Sequence, residues 1–154
     1  MKKGELLKHS FNSKLMDITI RYDGQDISFN LYAETIVDEN QINREIQEQP
    51  SIYAFLGMLH KKLIRKAQDK KREMEKTYAE VYIKSKEKID ENTGRVTSHD
   101  LAKEKAIVST RYQKSILHYQ TAQHEANIIE VCVTTFEQRQ QLIQTLSANI
   151  RKTS

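Results

Sequence analysis

The 154 residues include one cysteine, one proline, four glycines and no tryptophan. Each scarcity excludes something. A single cysteine, Cys132, cannot build an internal disulfide framework, so a reducing compartment is expected. Four glycines and one proline are too few for glycine-rich phosphate loops or a many-turned β-sandwich. No apolar run approaches the roughly 18–20 residues that span a bilayer. Met1-Lys2-Lys3 leads into polar residues, without the apolar stretch of a secretory signal. The expectation is a soluble, cytoplasmic, mainly helical chain.

Charge is abundant but uneven. Residues 1–50 carry six basic and nine acidic side chains, a net −3. Residues 51–88 carry eleven and five, a net +6, and residues 89–154 carry eight and seven, a net +1. The positive charge is concentrated in Lys61, Lys62, Arg65, Lys66, Lys70, Lys71, Arg72 and Lys76, and continues through Lys84, Lys86 and Lys88. Such a stretch attracts a polyanion by releasing its condensed counterions. It also serves as a solvated helix face when Glu73, Glu75 and Glu80 pair with neighbouring lysines.

Two parts follow from the apolar pattern, 1–50 and 51–154. In the first, Met16, Ile18, Ile20 and Tyr22 alternate with polar residues, as do Ile27, Phe29, Leu31 and Ala33. Asp23-Gly24 between them is a favoured tight-turn pair, so a β-hairpin with one apolar face is expected. An isolated hairpin is marginal in water, and its apolar face must be covered. Asp38 reads as the N-cap of a short helix that Pro50 ends. Pro50-Ser51 then restarts the chain as a long helix over 52–89, with a stripe from Leu56, Leu59, Leu63 and Ala67 to Met74, Tyr78, Val81 and Tyr82.

A turn is expected at Asp90–Val96 around Gly94, followed by a capping box at Thr97-Ser98-His99-Asp100. No Gly or Pro follows, so the rest reads as unbroken helix. Tyr112, Ser115, Tyr119, Ala122, Ala126, Ile129, Val133, Phe136, Gln140 and Ile143 form a heptad seam. A second row at Ile116, Ile128, Val131, Cys132, Leu142 and Leu146 widens it. Residues 115–150 carry only four charges: Glu125, Glu130, Glu137 and Arg139. This surface exceeds what one partner helix covers, so self-association is expected through Tyr119, Ile129, Val133, Phe136, Ile143 and Leu146. A helix buried in a monomeric bundle is the alternative.

Catalytic patterns are absent. His9, His60, His99, His118 and His124 never fall at the three- or four-residue spacing that turns two imidazoles to one metal. Cys132 lies in an apolar stripe and reads as a small buried hydrophobe. No catalytic residue, metal site or cofactor is expected, and the chain is not read as an enzyme. Binding remains. Lysines and arginines can follow a phosphate backbone, and Tyr78 and Tyr82, one turn apart, can stack on unpaired bases or pack against a partner helix. A helix with scattered lysines has little means of reading base edges, so any binding should be sequence-tolerant.

Ser51-Ile52-Tyr53-Ala54-Phe55-Leu56 opens a long helix with a Lys/Arg-rich middle running to Tyr78 and Tyr82. A turn at Gly94 leads to Lys103-Glu104-Lys105, Tyr119 and an apolar run from Ile128 to Phe136 containing Cys132. In this order of features, over roughly 51–150, the chain resembles the UvsY-type recombination mediators of tailed phages. The resemblance implies a ring-like homo-oligomer that binds single-stranded DNA without sequence preference. It implies that the protein helps load a recombinase onto strands covered by a single-strand-binding protein, in the host cytoplasm if the chain is phage-encoded. It also implies that the basic helix contacts DNA and the C-terminal helix assembles the ring. The hairpin at 15–34 looks like an addition. The alternative class is a phage structural or scaffolding adaptor that assembles without nucleic acid; a third is a regulator that binds an acidic protein.

Overall fold

The structure, a computed structural model, describes residues 13–89 and 94–153. His9 and the first part of the expected turn, Asp90–Thr93, lie outside the described residues. A 3-10 turn, Ser13–Met16, precedes strands β1 (Asp17–Tyr22) and β2 (Gln25–Asn30). Helix α1 (Leu31–Thr35) and a 3-10 turn at Glu39–Gln41 lead into α2 (Ile42–Glu87), then α3 (His99–Val108) and α4 (Thr110–Thr153). The expected class, mainly α with an N-terminal β-hairpin and a long helical hairpin, is the class observed.

The hairpin follows from local chemistry. Asp23 and Gly24 both have positive φ, 51° and 77°. That is the type I′ turn, whose twist matches the strands it joins. Its register sets Ile18 opposite Phe29 and Ile20 opposite Ile27 on one face. The other face is polar: Thr19 and Ser28 hydroxyls lie 3.0 Å apart, Asn30 Nδ2 donates to Asp17 at 2.6 Å, and Arg21 lies 3.9 Å from Asp26. The second strand stops three residues sooner than the alternation predicts. Asn30 turns into an N-cap, its side chain accepting from Ala33 N–H at 2.9 Å, so Leu31 and Ala33 become helical.

The chain divides into two compact units, Met1–Leu56 with Val131–Ser154, and Gly57–Glu130. The division therefore falls inside the long helices and not at residue 50. In the first unit, the start of α2 runs antiparallel to the end of α4: Glu45 pairs with Arg139, and two turns later Tyr53 OH donates to Glu137 at 2.6 Å, with Gln49 Nε2 donating to the Phe136 carbonyl at 2.8 Å between them. The apolar face of the hairpin is covered here. Ile27 and Phe29 line a cleft of about 260 Å³ with Ile52, Phe55, Leu56 and Phe136.

Pro50 does not end a helix; it lies inside α2. An interior proline costs roughly 3 kcal/mol through its missing N–H and its clash with the preceding turn. Side-chain anchoring of the turns before it offsets that cost. Gln49 is buried and is held by Arg139 as well as by the Phe136 carbonyl. Glu45, one turn earlier, is also held by Arg139, and its other oxygen accepts from Asp38 N–H at 3.1 Å. Ser51 is accordingly mid-helix, while Asp38 does cap, accepting from Asn40 N–H at 2.9 Å.

In the second unit, α2 and α4 again run antiparallel: Lys66 Nζ lies 2.6 Å from Glu125, and Arg111 2.6 Å from Glu80. Leu59, Leu63, Ala67, Ala102, Ala106, Ala122, Ala126 and Ile129 are buried. Beyond Gly94 (φ 63°), Val96 bridges Ile89, and Thr97 N–H and Oγ1 both donate to the Lys88 carbonyl. Ser98 caps α3, accepting from Leu101 N–H, one residue beyond the Thr97 that the capping-box pattern expects, because the Thr97 hydroxyl is committed to the Lys88 carbonyl. The unbroken helix expected after it is interrupted at Ser109. No glycine or proline is needed, because Ser109 closes one helix and opens the next. Its hydroxyl donates to the Ala106 carbonyl at 2.9 Å and accepts from Tyr112 N–H at 3.2 Å.

The heptad seam of α4 departs from expectation at two turns. Cys132 is fully buried where Val133 was expected, with Val133 half-buried beside it. Arg139 is buried where Gln140 was expected, and Gln140 is exposed. A charged residue displaces an amide there because Glu45 and Gln49 await it.

Candidate nucleic-acid interface

Helical geometry sorts the eight basic residues singled out in the sequence. At 100° per residue, Lys61, Arg65, Arg72 and Lys76 fall within about 60° of one another, diametrically away from Leu59, Leu63 and Ala67. All four are exposed. They form a stripe about 22 Å long at 1.5 Å rise per residue. Lys62 and Lys71 flank the stripe and are exposed; Lys66 and Lys70 fall on the side of Leu59 and Leu63 and are half-buried.

Acidic neighbours hold many of these cations. Lys66 reaches Glu125 on α4, with side-chain exposures of 35% and 19%. Lys70 lies 2.7 Å from Glu73, Arg72 pairs with Asp69, and Lys71 and Lys76 lie 4.0 Å from Glu75 and Glu80. Glu80 is drawn more closely to Arg111, at 2.6 Å. Exposed pairs of this kind contribute only about 0.3–0.5 kcal/mol each, so a phosphate can replace the carboxylate. Lys61 and Arg65 make no ion pair among the described residues. Uncompensated positive charge is thus greatest at the Lys61–Arg65 end.

Two features of this surface were not anticipated. Met58 and Ile83 are 61% and 52% exposed and fall on the same helical stripe, one beyond each end. Their spacing to Lys61 and Lys76 is written in the sequence, but the apolar stripe drew attention to the opposite face. The Glu125 clamp on Lys66 joins residues 59 apart and left no local signal.

The tyrosines are occupied within the unit. Tyr78 and Tyr82 stack at 6.4 Å between centroids, Tyr112 lies 5.2 Å from Tyr78, and Tyr82 meets His99 edge-on at 5.5 Å. The Tyr82 hydroxyl and His99 Nδ1 are 2.5 Å apart. Of the two roles open to this pair, packing is the one the geometry favours.

The residues expected to mediate self-association divide as well. Ile129, Phe136 and Ile143 are 0%, 1% and 3% exposed within a single chain, so they fill its own interior and are not a face for a second copy. Tyr119, Val133 and Leu146 are half-buried. The apolar residues that α4 leaves exposed are Leu117, Val131, Leu142 and Ile150.

Among the described residues, no cluster of three or more His, Cys, Asp or Glu is placed to hold a metal ion, and no helix is long and apolar enough to cross a membrane. Comparison with protein-family models, curated proteins and solved structures returned no match.

Proposed function

We propose that this chain is a sequence-tolerant single-stranded-DNA-binding protein of the recombination-mediator type. It is a non-enzymatic homo-oligomer that holds a strand extended, so that a recombinase can nucleate while a resident single-strand binder is displaced. The observation that carries the reading is the exposed stripe of Lys61, Arg65, Arg72 and Lys76 on one side of α2. A straight row of cations follows a phosphate backbone and offers no fork aimed at base edges, which fits tolerance of sequence. The UvsY-type order of features supports the mediator role. Several copies around a ring would present many weak contacts to one strand and raise avidity without new chemistry.

A second reading, an assembly adaptor that works without nucleic acid, draws support from the ion pairs already held by Lys70, Arg72 and Lys76. Binding to single- and double-stranded oligonucleotides across a salt series separates the two. Four phosphate contacts per subunit give a log–log salt slope of about −3 on single strands. Replacing Lys61, Arg65, Arg72 and Lys76 by alanine should remove most of that slope. Unchanged affinity in this variant, with its helix content intact, would remove the DNA reading.

A further inference from the structure

Gly57 lies inside α2, where the fold gives no reason for a glycine. An interior helical glycine is disfavoured relative to alanine, because it orders a more flexible backbone. It is retained where a side chain would collide or where φ must be positive. Neither applies here: the backbone is helical, and among the described residues nothing lies within 4 Å of the place a Cβ would take. The glycine leaves a bare patch of helix surface, of the kind that lets a ligand approach the backbone closely.

Its neighbours give that patch a chemistry. Met58, beside it, is 61% exposed. Lys61 follows Gly57 by four residues, so its side chain leans back over the glycine's turn. Arg65 continues the line one turn further. Lys61 and Arg65 are the stripe cations that make no ion pair among the described residues. An exposed apolar side chain, bare backbone and two unneutralised cations are thus adjacent. The other end of the stripe differs: Lys76 lies 4.0 Å from Glu80, and the turns around Ile83 contain no glycine.

We propose that Gly57 and Met58 form a base-contact subsite at this end of the stripe. A nucleobase of the single strand lies against the Met58 side chain over the open Gly57 backbone, while its flanking phosphates engage Lys61 and Arg65. The inference rests on the DNA reading and adds to it a contact that is not to phosphate. Every base has an apolar face, so the contact tolerates sequence. Methionine suits it, because a polarisable thioether on three rotatable bonds adapts to purine and pyrimidine alike.

Two strands of equal length and equal phosphate charge test it, one with bases and one abasic throughout. The full-length protein should bind the base-bearing strand about fivefold more tightly, with the same log–log salt slope on both. Met58→Ala should erase that preference and leave the slope unchanged, while Met58→Leu keeps most of it. Gly57→Leu should erase it too. That variant fills open space and raises helix propensity, so its loss cannot be put down to a weakened helix. Ile83→Ala should retain the preference. Equal affinity of the native protein for both strands, or a preference that survives Met58→Ala and Gly57→Leu, would overturn the subsite and leave the DNA reading standing. Failure to bind either strand would overturn both.

Discussion

Arg139 on α4 and Glu45 on α2 form an ion pair whose side chains are only 6% and 16% exposed. The guanidinium also donates to the Gln49 side chain and, at 3.3 Å, to the Ile36 carbonyl, and lies over the Phe136 ring at 5.7 Å. Its Nε is buried without a partner among the described residues. Such a cluster fixes geometry more than it adds net stability, because desolvation cancels much of the attraction. Removing one member is another matter. Arg139→Leu leaves the Glu45 carboxylate and the Gln49 amide buried and unpaired, and should cost about 3–5 kcal/mol in urea unfolding.

The same pair gives a pH dependence of known sign. Burial raises the Glu45 carboxyl, but hydrogen bonds from Asp38 N–H and Arg139, with the guanidinium charge, more than reverse this and leave it below its ordinary value. A depressed carboxyl stabilises the fold above its unfolded value of about 4.3 and loses that contribution as pH falls through its folded value. The urea midpoint of the native protein should therefore fall more steeply below about pH 4 than that of Glu45→Gln. Parallel curves would assign the acid sensitivity to other carboxylates.

Pro50 supplies a test of anchoring against propensity. The helix around it is held by Gln49 and Glu45, not by the proline. Pro50→Ala restores a donor for the Ile46 carbonyl and removes the ring clash. It should raise stability by about 1–3 kcal/mol, read as a higher urea midpoint at unchanged slope. A loss of stability would mean that the proline's shape is needed in the groove it shares with Tyr53 and Ile143.

Ser109 interrupts the C-terminal helical run by capping in both directions. Ser109→Ala leaves the Tyr112 N–H without its acceptor and should cost about 1 kcal/mol. Ser109→Asp keeps an acceptor for Tyr112 and should recover most of that loss in thermal unfolding.

Local periodicity made the hairpin, the turn at Asp23-Gly24 and the two long helices legible, because strand alternation and helical spacing are properties of neighbours. The departures came from contacts distant in sequence. Pro50 reads as a stop until Arg139, 89 positions away, is seen to anchor the residue before it. Gln140 fits a heptad better than Arg139 does, and only Glu45 explains the exchange. The basic stripe was legible as composition and as angle. Which cations are already engaged was not, because Glu125 and Arg111 come from the other helix.

Burial pushes the Cys132 thiol up to about 11. At pH 8 about one thiol in a thousand is then ionised, and the thiolate is the reactive form. A thiol reagent should modify the native protein slowly at pH 8, and rapidly once urea unfolds it. Fast modification of native protein would mean that the seam around Cys132 opens readily.

Glu125 restrains Lys66 from across the second unit, at 2.6 Å and with little exposure of the carboxylate. If phosphate must compete with that carboxylate, the clamp reduces the number of cations available to DNA. Glu125→Gln removes the charge while keeping the shape. It should tighten binding to single-stranded oligonucleotides at low salt and steepen the log–log salt slope by about 0.7, the increment of one further phosphate contact. The same substitution should cost no more than about 1 kcal/mol of stability, since Lys66 keeps partial access to water. Adding Lys66→Ala should cancel the gain in affinity. A gain that survives in the double variant would trace to the lost negative charge alone and would place Lys66 outside the phosphate path.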